Sequence, residues 1–296
     1  ATRGEPSLRL ASADRFLDLL DAAEQENAAP AEPVDQDWEA VDPLTAQPGQ
    51  VVDGDAAGPW RMVRQLGVGG TARAILVVRS VEDDDGEQID QRRVLKIALD
   101  EAKAPQLRAE AEALRKVGGG AIVKLFDGPR ELGGHTVLDL EFAGERTLAR
   151  VLREEGKLTY HQLERFGDDL FTALDQLAGE GLWHRDLKPE NFGVLHRADR
   201  TWALKLLDFS HSGVPDRDYT AGTRGYLDPF VGGRDRPYFD DHAERYAAAV
   251  TLHEMASAER PRWGDERTDP RMTDDELPYI SADLFEPALR EGLTAF

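Results

Sequence analysis

The stretch His184-Arg185-Asp186-Leu187-Lys188-Pro189-Glu190-Asn191 constrains the fold of this chain more than any other. It holds a carboxylate, an ammonium and a carboxamide within eight positions. A further carboxylate, Asp208, follows in Leu207-Asp208-Phe209-Ser210, 22 residues after Asp186 and directly behind the mostly apolar run Ala203 to Leu207. That spacing suits a tight loop, a short hairpin and a carboxylate brought back beside the loop to ligate a cation. Ahead of the loop, Leu163, Phe166, Leu170, Leu174 and Leu177 recur at helical spacing between Tyr160 and Glu180. They make an amphipathic platform that leads through Gly181-Leu182-Trp183 into His184. Thr147 to Glu155 begins a shorter helix before it.

The preceding part of the chain reads as strands. Trp60 to Leu66 and Ile75 to Val78 flank Gly67-Val68-Gly69-Gly70-Thr71-Ala72-Arg73-Ala74. In such a turn backbone N–H groups approach an anion with no side chain in the way. A charged hairpin loop, Glu82 to Glu87, leads to a third strand, Arg93 to Leu99. Its central Lys96 calls for a carboxylate, because an unpaired buried ammonium is costly. Ala102 to Val117 is a helix ended by Gly118-Gly119-Gly120. Leu107, Ala111 and Leu114 form its apolar face; of its two carboxylates, Glu110 lies nearer that face than Glu112. Ile122 to Phe126 and Thr136 to Leu140 complete the sheet, with Gly133-Gly134 in the turn between them.

These runs together resemble the protein kinase family, on the six loop positions His184, Arg185, Asp186, Lys188, Pro189 and Asn191, the Asp208-Phe209 pair, the glycine turn and Val94-Leu95-Lys96. The resemblance covers Trp60 to about Phe296. It implies an α+β, two-lobed fold: a small antiparallel β lobe over residues 60–141 and a mainly α-helical large lobe over residues 142–296, truncated at its C-terminal end. It implies ATP and Mg²⁺ as cofactors and, from Lys188, the serine/threonine class. By resemblance Asp186 is the catalytic base, Lys188 neutralises charge on the transferred group, and Asn191 and Asp208 are the metal ligands. Lys96 would bind the α/β phosphates, with Glu110 as partner on the family pattern Glu-x-x-x-Leu. Gly67, Gly69 and Gly70, the hinge Glu141-Phe142-Ala143-Gly144, and the apolar Leu66, Ala74, Val94 and Ile122 would enclose the nucleotide, with Leu140 gating its rear. Arg185 would pair with a phosphate placed on the activation segment, Asp208 to Pro229, at Ser212, Tyr219, Thr220 or Thr223. Thr223 also matches the family threonine that bonds the catalytic Asp and Lys.

Several positions depart from the family pattern. Ala72 replaces a third glycine, Ser210 the glycine after Asp-Phe, and Glu244 an aspartate that ties to the catalytic-loop backbone. Asp228-Pro229-Phe230 replaces Ala-Pro-Glu, so the buried ion pair of that glutamate must be absent or rebuilt. Leu227-Asp228-Pro229-Phe230, the run Ala243 to Met255 and Pro261-Arg262-Trp263-Gly264-Asp265 resemble, more narrowly, bacterial kinase domains of phage-defence proteins of the phage growth limitation and bacteriophage exclusion type. The partners this implies are a protein substrate or the chain itself, further domains of a longer chain, and defence-system subunits. The departures leave two alternatives: a nucleotide-binding pseudokinase scaffold, and an enzyme phosphorylating a small molecule.

Composition sets limits around this reading. A net charge of -21, from 57 acidic and 36 basic residues, opposes direct nucleic-acid binding and attraction to an anionic membrane. Without cysteine there is no disulfide, thiolate nucleophile or Cys-ligated zinc. No run reaches the length needed to span a bilayer and no signal peptide is visible, which suits a cytoplasmic setting. In residues 1–59, Phe16, Leu17, Leu20 and Ala23 predict a helix over residues 13–26. Residues 21–59 hold ten acidic side chains and no lysine or arginine, and read as an acidic linker or arm with Trp38 and Val41 as its anchors.

Overall fold

Side chains alternate across a strand, so each strand of the small lobe must satisfy two surroundings at once. The computed structural model describes residues 38–55, 57–82, 86–197, 201–262, 282–285, 287, 289 and 290. Its first sheet has six strands: β1 (Val51–Asp55), β2 (Gly58–Val68), β3 (Ala72–Glu82), β4 (Gln88–Ala98), β5 (Leu125–Leu132) and β6 (His135–Glu141). They run antiparallel in the order β1-β2-β3-β4-β6-β5. In β4, Leu95 and Ile97 enter an outer core with Trp60, Met62, Ile75, Val77 and Val137. Val94 and Ala98 instead join the main core, which continues into the large lobe. Helix α1 (Ala104–Val117) buries Leu107, Ala111 and Leu114, the face that its spacing predicts.

The large lobe begins with β7 (Arg146–Thr147) and α2 (Leu148–Glu155), which Thr147 caps through its side chain. Helix α3 (Tyr160–Gly179) starts at a capping box formed by Thr159 and Gln162. It buries Phe166, Leu170 and Leu177, and its Asp169 accepts the Leu204 N–H at 2.8 Å. That bond ties the platform to the hairpin β8 (Phe192–His196) and β9 (Trp202–Leu206), which carries the chain from the His184–Asn191 loop to Asp208. Helix α4 (Asp241–Ser257) is capped by Asp240 and is buried on several sides.

Two local expectations change. Ile122 to Phe126 is not a strand of the small-lobe sheet: β5 starts at Leu125. The backbone before it is taken by β9, since Val123 N–H donates to the Leu206 carbonyl at 2.9 Å and Leu206 N–H to the Ala121 carbonyl at 2.8 Å. Ile122 is therefore fully buried in the main core rather than placed as a wall of the nucleotide cleft. The glycine turn is also shorter than expected, because β2 runs through Gly67 and Val68 and β3 begins at Ala72.

The acidic segment ahead of Trp60 contributes a strand, β1, to the small-lobe sheet. Trp38 lies against Gly54, where a Cβ would meet its ring at 2.1 Å. Val41 packs on the outer core, but Leu44, Ala46 and Val52 share that work. Their alternation is too short to stand out in a polar, proline-rich run. The helix expected over residues 13–26 lies outside the described residues. Near the end of the described residues, Ala282–Leu284 forms a 3₁₀ turn.

Candidate active site

Register puts Lys96 in the middle of the sheet, opposite Ala74 on β3 and Leu138 on β6. Its ammonium donates to both Glu110 carboxylate oxygens, at 2.8 and 2.7 Å, and to Asp208 Oδ1 at 2.8 Å. Three separate parts of the chain thus meet at one charge. Glu110 is buried whereas Glu112 is exposed, so helical phase selects between the two candidates. Burial alone would lower the Lys96 pKa, but the two carboxylates hold it above the ordinary lysine value. Burial would raise Asp208; Lys96 outweighs it and keeps that carboxyl well below the usual range. Asp208 adopts φ 59°, a left-handed conformation that Asp tolerates better than most residues. The following Phe209 is fully buried, and its N–H donates to Glu110 at 3.3 Å. Ser210 does not break this turn: its N–H donates to Asp208 Oδ1 at 3.4 Å.

The second cluster is the catalytic-loop candidate. Asp186 Oδ2 accepts from the Lys188 ammonium at 2.7 Å and from the Asn191 amide at 3.1 Å, while Oδ1 accepts from the Thr223 hydroxyl at 2.6 Å. Lys188 also donates to Thr223 Oγ1 at 2.6 Å. The Asn191 amide nitrogen additionally donates to the Asp186 carbonyl at 2.8 Å, so its side-chain oxygen is the atom available to a cation. Below the loop, His184 donates from Nε2 to the Leu207 carbonyl at 2.7 Å and accepts from Asp186 N–H at Nδ1. Burial lowers its pKa, and a neutral ring with one donor and one acceptor matches that pair of contacts.

Glu244 reaches the loop as its extra methylene allows. It accepts from His184 N–H at 2.8 Å and from Arg185 N–H at 3.1 Å. Burial pushes its carboxyl up to about 7, against the lowering effect of those two donors. The ion pair missing from Asp228-Pro229-Phe230 has a local replacement: Asp228 pairs with Arg236 at 2.8 Å, and Arg236 also grips the helix cap Asp240.

The nucleotide-side residues surround the cleft unevenly. A Cβ built on Gly67, Gly69 or Gly70 would meet no atom nearer than 4.0 Å. Leu66 is half exposed, Ala74 faces Lys96 across the register, and Leu140 is buried opposite Val94. The hinge is held from behind. Glu141 accepts from Lys124 N–H at 3.1 Å and from the Lys205 ammonium at 3.0 Å. Ala143 is buried, and Gly144, at φ 101°, passes so close to β8 that a Cβ would lie 2.0 Å from the Val194 carbonyl. Sequence reasoning missed Lys205, although a lone lysine in an apolar strand is the signal that picked out Lys96.

The regulatory candidates are not brought together. The Arg185 guanidinium donates to the carbonyls of Val214 and, at 2.9 Å, Asp218, and lies over the Phe239 ring. Ser212 donates to the Phe209 carbonyl at 2.7 Å, and Thr220 to Asp218 Oδ1 at 2.7 Å. Thr223 belongs to the Asp186 cluster instead.

The donor set fits a nucleotide with a hard cation. Asp208 carboxylate and Asn191 carboxamide are oxygen ligands of the kind Mg²⁺ takes alongside phosphate and water. The side chain of Asp208 remains 44% exposed despite its bond to Lys96. The space beside the three glycines is open, while the Gly69 N–H is held by the Ala72 carbonyl at 2.9 Å.

The model of the family described as "Protein kinase domain" matches residues 60–285. The chain is 46% identical, over its whole length, to 21% of the length of a "Probable kinase PglW" of Streptomyces coelicolor. It is 25% identical, over 68% of the chain and 30% of the relative, to a probable serine/threonine-protein kinase of Clostridium acetobutylicum. It is 28% identical, over 57% of the chain and 42% of the relative, to the serine/threonine-protein kinase PknL of Mycobacterium tuberculosis. The chain therefore spans about a fifth to two fifths of the length of these relatives.

Proposed function

We propose that this chain, which belongs to the protein kinase domain family and is a serine/threonine kinase, moves the γ-phosphoryl group of ATP to Ser or Thr hydroxyls of proteins, its own included, with Mg²⁺. The observation that carries this reading is the convergence of Lys96, Glu110 and Asp208 in one cluster and of Asp186, Lys188, Asn191 and Thr223 in another. ATP and Mg²⁺, when bound, supply the transferable group and part of the charge neutralisation for its departure.

The chain's own residues do the rest. Lys96, fixed by Glu110, offers its ammonium to the phosphates. Asp208 and the Asn191 side-chain oxygen would hold the cation. Backbone N–H groups of the glycine turn would cover the phosphates, and the hinge backbone at Glu141 and Ala143 would receive the base. Asp186 orients the acceptor hydroxyl and takes its proton. Lys188, bonded to Asp186, sits where charge grows on the transferred group, and Thr223 keeps the pair in register. Such a site acts by positioning and by prearranged charge, so small displacements carry large rate penalties.

The wider setting belongs to the same proposal. The relative named PglW supports a place in a phage-defence system, with the kinase region working beside further domains of a longer chain. No described helix is long and apolar enough to cross a membrane, and a cytoplasmic location suits a chain that uses ATP. The test is mass spectrometry after incubation with Mg²⁺ and ATP, beside Asp186→Ala and Asp208→Ala. New phosphate on Ser or Thr of the parent, or of an added protein, and in neither variant, is the expected result. Bound ATP without any phosphate transfer would overturn the catalytic reading in favour of a scaffold.

A further inference from the structure

The outer face of the small lobe carries a buried cation that the proposed chemistry does not use. Arg73 lies at the root of the glycine turn, next to Ala72, with its backbone paired to Val68. The residue is only 8% exposed. Nη1 donates to the carbonyls of Pro43 at 3.2 Å and Leu44 at 2.5 Å, and Nη2 to the carbonyl of Ala46 at 2.9 Å. Nε donates to Gln65 Oε1 on β2 at 3.1 Å.

The carbonyls converge because residues 42–46 form a single turn. Thr45 and Ala46 N–H groups donate to the Asp42 carbonyl, and the Asp42 side chain accepts Leu44 N–H at 2.8 Å. The end of such a turn presents carbonyls in need of donors. A guanidinium, planar and with five donors, can serve several at once where an ammonium cannot. The turn itself is seated on the lobe. Val41 and Leu44 pack on the outer core, Val41 N–H donates to the Val51 carbonyl, and Asp42 lies 3.4 Å from His135 at the β5–β6 turn.

We infer that residues 41–55 form a strap and that Arg73 is a positioning residue, coupling the seating of the strap to the placement of the glycine turn and so to nucleotide affinity. Arg73 reaches three strap carbonyls and Gln65, and so joins the strap to both strands of the β2–β3 hairpin. The two residues before the turn and the two after it are thereby referred to the rigid outer core rather than left to swing with Gly69 and Gly70. The strap is held to that core by apolar contacts from Val41, Leu44, Ala46 and Val52.

This inference rests on the phosphotransfer reading only for its kinetic arm. Arg73→Met keeps much of the volume and removes every donor; Arg73→Lys keeps the charge and loses the fork; Val41→Ser combined with Leu44→Ser unseats the strap while Arg73 stays. Hydrogen exchange of residues 66–72 is followed without nucleotide, and KM for ATP and kcat are followed with it. The expected result is exchange over residues 66–72 at least fivefold faster in Arg73→Met and in the double variant, with α1 and β4 unchanged. KM for ATP should rise about 5–20-fold, with kcat changed by less than threefold, and Arg73→Lys should fall between Arg73→Met and the parent. Should Arg73→Met fail to fold, the double variant decides on the same readouts. Exchange over residues 66–72 equal to the parent, or a uniform increase over the whole lobe, would overturn the inference. A parent that does not turn over would sink the phosphotransfer reading while leaving the exchange result to judge the strap.

Discussion

Lys96 and Arg73 are two buried cations on neighbouring strands of one sheet, and they face opposite ways. Lys96 lies on the cleft side and meets the carboxylates of Glu110 on α1 and of Asp208. Arg73 lies on the outer side and meets neutral carbonyls of the strap. The difference follows from what each side chain offers. An ammonium is a compact point charge that two carboxylates can hold while a third, anionic partner is still welcome. A guanidinium is a flat fork suited to several fixed acceptors at once. One site is arranged to exchange partners and the other to keep them.

The sharpest break of the comparison is Lys96→Met. It should lower kcat/KM by about 10³-fold, on the order of 4 kcal/mol of transition-state stabilisation, measured by radiolabel transfer, while Arg73→Met spares kcat. Equal losses of kcat would make the two faces equivalent and the comparison false. Ile97→Ala, one residue along the same strand and fully buried on the outer face, should cost about 2–5 kcal/mol in stability by denaturant unfolding. Its folded fraction should keep a normal kcat, because the cavity opens away from the cleft.

The large lobe offers a third test, through pH. Glu244 has its carboxyl raised to about 7 by burial. A raised acid binds its proton more tightly in the folded chain, so its contribution favours folding below about pH 4.5 and is lost as pH climbs through 7. Glu244→Gln should remove that slope, worth about 3 kcal/mol between the two limits. Tm followed from pH 5 to 8 checks it, and a variant slope matching the parent would show that Glu244 stays ionised throughout. The smallest effect is expected at the surface pairs Arg64–Glu145 and Arg92–Glu145, at 2.8 and 3.0 Å and largely exposed. Glu145→Gln should change stability by less than about 1 kcal/mol, and any larger change would mean that these pairs help to fix the angle between the lobes.

The residues of the candidate site were legible in the chain before folding, but unevenly. The loop positions His184 to Asn191 sit within eight residues, and local spacing singles them out. Lys96 was legible because a lysine in an apolar strand has few harmless explanations. Glu110 and Glu112 were separable only by helical phase, and the fold settled them by burying one. Ile122 was misjudged, since β9 competes for its backbone and no local pattern announces a partner some 84 residues away. Lys205 and Glu141 form a pair across 64 residues, and Arg236 rebuilds the lost ion pair with Asp228. Neither pairing has a spacing rule behind it.

By itself, then, the sequence determined the two-lobed class, the candidate catalytic loop, the metal-ligand candidates and the strand that carries Lys96, because each depends on residues close together or on simple periodicity. Tertiary structure alone decided what the acidic segment does. The carbonyls of Pro43, Leu44 and Ala46 become a binding site for Arg73 only once the turn and the hairpin are folded against each other, and backbone groups are the same in every residue, so no residue type marks them in advance.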